Sequence, residues 1–188
     1  MALLRPLIVS FGSLALLTGL AYPGAVTGMA RLIFPRQAGG SLLVVDGKVR
    51  GSSLIGQATE DPRYFWGRPS PTAPFPTNAA ASTGSTLAPS NPALAEAVTK
   101  RTQNLRVSDP ENLAPIPQDL VTASASGLDP HISPEGALWQ IHRVARNQGM
   151  DSERLQALVA SHIQRSPFGP PRVNALELNL ALDAASRR

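Results

Sequence analysis

Hydrophobic positions along this chain form four patterns, each predicting a different element. The first is an unbroken apolar block. No charge occurs from Pro6 to Ala30, and Leu7 to Ala21 is almost entirely Leu, Ile, Val, Phe and Ala. As a helix rising ~1.5 Å per residue this stretch reaches about 37 Å, enough for a ~30 Å hydrocarbon core. The predicted span is Leu7 to Gly28, with Gly12, Ser13 and Gly19 suited to close helix packing and Pro23 to a kink. A cleaved signal peptide is the competing reading: Arg5 is its n-region, Leu7 to Leu17 its h-region and Gly28-Met29-Ala30 its small-x-small site. The apolar run continues through Leu20 and Tyr22, which favours an anchor. Either way residues 1–34 stand apart from a domain over 35–188.

The second pattern is two short β-prone runs, Ser41 to Val45 and Lys48 to Ser52, joined by Asp46-Gly47. That dipeptide predicts a hairpin, because both turn residues must adopt positive φ. Ser53 to Gln57 and Tyr64 to Trp66 predict further short extended pieces. Pro71 to Pro92 has almost no large apolar residue and predicts a long loop draped over the fold.

The third pattern is helical. Asn91 caps and Pro92 opens a helix to about Arg106, with Leu94, Val98 and Leu105 inward and Glu96/Lys100 paired. Ser133-Pro134-Glu135 opens a second, carrying Leu138, Ile141 and Val144/Ala145 and stopped by Gly149. Asp151 caps a third, whose stripe is Leu155, Leu158, Val159, His162 and Ile163. The fourth pattern has period two: Leu176, Leu178, Leu180 and Leu182 alternate with Glu177, Asn179, Ala181 and Asp183, predicting a half-buried strand paired with the N-terminal strands. The fold class expected is α+β, a single transmembrane helix followed by a mixed domain.

Composition narrows the classes. The chain has 188 residues with 43% hydrophobic, 16% charged, 18 Pro, 15 Gly and a net charge of +4. Zero Cys excludes a disulfide scaffold, a thiolate metal site and a cysteine nucleophile. The cations are scattered arginines without a run or stripe, which argues against nucleic acid.

Catalytic signatures are sparse. No phosphate-binding glycine loop and no G-x-S-x-G elbow is present. Ser124, Ser126, Asp129 and His131 lie within a few residues and suggest a hydrolase triad on paper. Triad members converge from separate elements, so a hydroxyl-rich turn is the better reading. His162 sits on an apolar stripe as a core histidine, and His142 beside Arg143 reads as surface. Tyr64, Phe65, Trp66 and Arg68 form the densest aromatic patch: core with Arg68 stacked on a ring, or a partner-facing anchor.

Several blocks recur in a characteristic order. They are Arg5-Pro6, Tyr22-Pro23, Gly51 to Gln57, Tyr64 to Ser70, Pro89 to Pro92, Leu120 to Ile132, Trp139 to Ala145 and Arg172 to Leu182. Collinear across nearly the whole chain, they resemble the KdpC family, the C subunit of the bacterial potassium-transporting ATPase. The chain departs from the family pattern at Ser53 and in the Ala/Thr-substituted loop from Asn78 to Pro89.

The resemblance implies a single-pass bacterial inner-membrane protein, N-terminus cytoplasmic and domain extracytoplasmic. It implies a non-catalytic accessory subunit beside a channel-like potassium-binding subunit, a P-type ATPase subunit and a small single-span subunit. The implied cofactor is ATP, whose affinity for the ATPase subunit the family is described as raising, as a catalytic chaperone. Gln140, polar and central to a strong block, is the candidate nucleotide or partner contact. No catalytic or metal residue is expected. The alternative is a membrane-anchored or exported hydrolase using Ser126 and His131.

Overall fold

The computed structural model describes residues 3–186. A continuous helix runs from Leu4 to Ile33, apolar and with none of its best window buried by the rest of the chain. It comprises α1 (Leu4–Leu16), a π-helical turn (Leu17–Ala21) and α2 (Tyr22–Ile33). The π turn accounts for Pro23. Proline cannot donate to the carbonyl four residues back and its ring crowds that carbonyl. Here the register loosens just before it, so that Tyr22 N–H donates to Leu17 O, five residues back. A further short helix α3 (Pro35–Ala38) leads to a hairpin of β1 (Leu42–Val45) and β2 (Lys48–Ser52). Its turn has φ of 53° at Asp46 and 72° at Gly47, the positive pair expected for this dipeptide.

The chain divides into two compact units, one running up to Arg50 and the other starting at Gly51. In the second unit, α4 (Pro92–Ser108) follows a long irregular segment and starts on the Asn91 side chain, which accepts from Ala93 N–H at 3.0 Å. Then come β3 (His131–Ile132), α5 (Pro134–Trp139), α6 (Ile141–Gln148), α7 (Ser152–Ser161), β4 (Ile163–Ser166), β5 (Gly169–Asn174) and α8 (Ala175–Ser186). The sheet is antiparallel in the order β3-β5-β4, with Ile132 and Ile163 both opposite Val173. Helices α5 to α8 close over it, and Phe65, Ile132, Val144, Leu155, Val159, Val173, Leu178 and Leu182 form the core.

Three expectations are corrected. Leu176–Asp183 is helical, within α8, and makes no strand with the N-terminal runs. Asn174 Oδ1 accepts from the backbone N–H groups of Leu176 and Glu177, both at 3.1 Å, and starts the helix. Ala175, Leu178 and Leu182 then fall on one buried face. The segment holds no β-branched residue, so helix propensity outweighs the accidental alternation. The helix predicted from Ser133 to Gly149 breaks at Gln140 into α5 and α6. The stripe predicted through Ile163 ends at Ser161, because Ile163 pairs into the sheet.

The loop from Pro71 to Pro92 is draped as expected, with one short 3₁₀ turn at Ala79–Ala81. It is pinned where glycine is required. Gly127 has φ +68°, and a Cβ there would lie 2.7 Å from both Thr83 O and Thr72 Cγ2. Gly127→Ala is therefore expected to cost about 2 kcal/mol from strain and clash together. Chemical denaturation of the detergent-solubilised chain would measure it, and an unchanged midpoint would mean the loop is not held there.

Candidate functional site

The aromatic block predicted to be extended forms no strand among the described residues: Tyr64 lies in a bend after a turn, and Phe65 and Trp66 follow in irregular chain. Side-chain amides do what a neighbouring strand would. Gln140 accepts from Trp66 N–H at 2.7 Å and donates to Trp66 O at 3.0 Å. Asn179 on α8 treats Phe65 the same way, accepting from its N–H and donating to its carbonyl, each at 2.9 Å. Two consecutive residues are thus gripped from the α5–α6 junction and from α8, which satisfies backbone groups that burial would otherwise strand.

Arg143 on α6 completes the grip. Its guanidinium donates to Pro62 O at 2.6 Å, Tyr64 O at 3.0 Å and Gln140 Oε1 at 2.6 Å. It also lies over the Trp66 ring, 4.1 Å from the centroid. Burial lowers the Arg143 pKa to about 10 against the opposing attraction of Asp109 and Asp61, so the group is charged at neutral pH. Tyr64 closes the outer end by donating to Asp183 Oδ1 at 2.8 Å. That bond, with burial adding to it, raises the Tyr64 phenol above its ordinary value.

This geometry places each candidate residue. Phe65 is fully buried in the core, while Tyr64, Trp66 and Arg68 are half-buried. The cations over the rings of the block are Arg143 on Trp66 and Arg63 on Tyr64, the latter 5.8 Å from the centroid, and not Arg68. Arg68 instead pairs with Asp129 at 3.2 Å and donates to Ala123 O at 3.2 Å. Gln140 is fully buried, and its two acceptor and two donor positions are all engaged, the last by Gly136 O at 3.1 Å.

The Ser/Asp/His cluster does not assemble as a nucleophilic site. Ser124 Oγ is buried with no hydrogen-bond partner, and Ser126 Oγ accepts from Leu128 N–H at 3.1 Å. Asp129 Oδ1 accepts from His131 N–H at 3.0 Å, with the imidazole Nδ1 at 3.3 Å. Among the described residues no serine hydroxyl bonds that ring, so none of them has a base placed to activate it. His142 is half exposed, its Nδ1 2.7 Å from Asp109 Oδ1. His162 sits past the end of α7, its Nδ1 2.8 Å from Leu158 O, rather than in the core. Among the described residues no three His, Asp or Glu side chains gather as metal ligands.

Asp129 carries an acid-stability consequence. Burial pushes its carboxyl up, but hydrogen bonds from the His131 ring and backbone, and from Arg68, together hold it below its ordinary 3.8. A folded pKa below the unfolded one stabilises the fold above about pH 4, and that contribution is lost as pH falls through the folded value. Asp129→Asn is expected to flatten the acid limb of the stability curve, read by thermal unfolding between pH 3 and pH 6. An acid limb identical to that of the parent chain would refute this assignment.

Beside the clamp lies a cleft of about 540 Å³ lined by Trp66, Arg68, Ser70, Arg101, Asn104 and Leu120. Arg101 reaches across to donate to Val121 O at 2.9 Å, and burial lowers its pKa. Arg143, Asn179 and Asp183 were not among the candidates drawn from sequence. Gln140 and Arg143 stand at i, i+3 off the predicted stripe of Leu138, Ile141 and Val144/Ala145, so periodicity gave no signal of their burial.

One helix long and apolar enough to cross a membrane, followed by a mixed domain of helices and strands whose polar framework serves its own fold, defines the class. The chain belongs to the KdpC family, described as the K+-transporting ATPase c chain, whose sequence model matches residues 4–184. It is 60% identical to the potassium-transporting ATPase KdpC subunit of Variovorax paradoxus over 186 residues, 97% of this chain and 96% of the relative. The KdpC subunit of Dechloromonas aromatica is 55% identical over 188 residues, 98% of each. That of Sorangium cellulosum is 55% identical over 188 residues, 98% of this chain and 99% of the relative.

Proposed function

We propose that this chain is the accessory C subunit of a high-affinity, ATP-driven potassium import complex, and that it acts by stabilising the assembled pump. The helix carries the single pass through the bacterial inner membrane, Leu7 to Gly28, with the N-terminus cytoplasmic and the domain over residues 35–188 extracytoplasmic. Its companions are a channel-like potassium-binding subunit, a P-type ATPase subunit and a small single-span subunit. The observation that carries this reading is the full-length likeness to KdpC subunits combined with an apolar helix that its own chain leaves unburied. Such a helix requires lipid and neighbouring helices to cover it.

The subunit is non-catalytic in this reading. The polar residues of its strongest blocks hold the backbone of residues 62–66 and have no reacting group to offer. ATP belongs to the P-type subunit. Gln140 is enclosed with every hydrogen-bonding position engaged, so it does not suit a nucleotide. A rise in ATP affinity, the catalytic-chaperone role, is then exerted through assembly rather than by direct contact.

The test is purification of tagged chain in mild detergent from cells expressing the whole system. Large channel-like and P-type ATPase polypeptides are expected to accompany it in fixed ratio. A solitary chain would overturn the reading.

A further inference from the structure

The first unit carries an apolar surface, beyond the end of the span, that its own chain leaves uncovered. Residues 31–40 are all exposed, Leu32, Ile33 and Phe34 among them. The hairpin of β1 and β2 adds a second patch. Its two-residue turn sets Val44 opposite Val49, so Leu42, Val44 and Val49 share one face of the ribbon, and all three are exposed. A two-stranded ribbon alone is marginally stable in water, and large apolar side chains exposed together mark a surface that something covers.

Length places that surface. Leu7 to Gly28 rises about 33 Å, enough for the hydrocarbon core, and Met29 to Ile33 adds about 7 Å, the depth of a headgroup layer. There Phe34, at φ −131° and ψ 60°, stops the helix. The short helix α3 advances only about 6 Å before Gly40 and Ser41, with φ of 85° and 49°, turn the chain into β1. Ser41 N–H donates to Arg36 O at 2.9 Å and closes that turn. The hairpin thus starts one short helix away from the point where the apolar helix leaves the bilayer.

Charge selects the kind of lipid. Residues 31–50 hold Arg31, Arg36, Lys48 and Arg50 against a single acid, Asp46, whereas Arg5 is the one charged side chain before the span. Cations flanking a span ordinarily collect on the cytoplasmic side, so in the proposed orientation this excess runs against the bias that orients a helix. Arg31, Arg36 and Lys48 make no ion pair among the described residues. We propose that the segment from Arg31 to Arg50 is an interfacial foot that rests on anionic phospholipid. Leu42, Val44 and Val49 enter the boundary between headgroups and acyl chains, and the cations face the phosphates. By alternation Lys48 and Arg50 stand on the other face of the ribbon, yet a ribbon one strand thick keeps them within the ~8–10 Å over which such charges act. Lipid is the occupant because the apolar helix of the same compact unit brings it to this depth. The inference rests on the reading of Leu7 to Gly28 as the span.

The chain has no cysteine, so a single labelled one reports only its own surroundings. Full-length Val44→Cys carrying a polarity-sensitive fluorophore is reconstituted into vesicles of phosphatidylcholine, or of phosphatidylcholine and phosphatidylglycerol in equal parts. Spin labels at headgroup depth are expected to quench it in the mixed vesicles at low salt, and far less in phosphatidylcholine alone or at high salt. Each cation on an anionic surface strengthens binding about fivefold, so Arg31→Gln, Arg36→Gln and Lys48→Gln together should weaken docking about a hundredfold and release the label to water. A label at Leu16→Cys should be quenched by spin labels deep in the acyl chains under every condition. If position 16 is quenched while position 44 is not, or is quenched equally with and without anionic lipid at every salt, the foot is overturned and the span reading stands. If position 16 is not quenched, the span reading falls and the foot with it. In the whole complex, a photo-crosslinking benzoylphenylalanine in place of Val44 should yield a lipid adduct, and a crosslink to a polypeptide instead overturns the proposal.

Discussion

Arg143→Ala is expected to destabilise the second unit by about 3–5 kcal/mol, the cost of removing one member of a buried charged network. The substitution deletes bonds to Pro62 O, Tyr64 O and Gln140 Oε1, along with the contact to the Trp66 ring. It leaves two backbone carbonyls and an amide oxygen short of donors in a region from which water is largely excluded. For a domain of this size the thermal midpoint should fall by roughly 10–15 °C. Arg143→Lys keeps a charge but not the planar fork, and should recover less than half of the loss. Gln140→Ala should be costly as well. The double variant should lose less than the sum, because the two residues share the bond at 2.6 Å. Thermal unfolding of the detergent-solubilised chain measures all four. Strict additivity would show that they do not act as one clamp.

The second large effect falls on the helix. Leu16→Arg places a guanidinium near the middle of the apolar segment, at a position 61% exposed from its own chain. A charge at the centre of a span costs about 2.5–3.5 kcal/mol of insertion free energy, roughly a hundredfold in partition. The variant is expected to shift into the carbonate-extractable fraction and to lose its companions on purification, while Leu16→Phe leaves both unchanged. An Arg variant as firmly held as the parent would overturn the assignment of this helix as the span. A mature chain beginning near Arg31 would identify the segment as a removed signal instead.

Both predictions bear on how the domain serves a larger assembly. The clamp spends the polar side chains of two strong sequence blocks on fixing residues 62–66. Residues held at both N–H and carbonyl keep one backbone conformation, so this part of the chain needs little ordering on contact with another molecule.

Local signals were legible wherever a few neighbouring residues settle the outcome. The apolar run around Leu7 to Ala21, the Asp46-Gly47 turn and the caps at Asn91, Ser133 and Asp151 all formed as read, with Gly149 ending α6 at φ +64°. The turn and the caps depend on backbone sterics or on a hydrogen bond reaching three residues or fewer, and the apolar run on composition alone. The KdpC likeness was legible for a related reason, since collinear blocks survive in the sequence whatever their role in space.

Partners distant in the chain were decided only by the tertiary structure. Leucine alternation between 176 and 182 fits a strand or one side of a helix, and only the Asn174 cap and the core around Leu178 and Leu182 select α8. Gln140 looked like a ligand contact because a polar residue in a strong block is chemically available on paper. Its availability vanished once Trp66, 74 positions away, took its amide from one side and Arg143 from the other. Phe168 shows the converse. Nothing in Pro167-Phe168-Gly169 distinguishes a core ring from a surface one, and its exposure follows from a β3 too short to flank the tip of the hairpin. Short-range sterics and polarity therefore determined the turn, the caps and the long apolar helix. Which polar groups were spent inside the fold, and which apolar one was left outside, depended on long-range packing that no local pattern encodes.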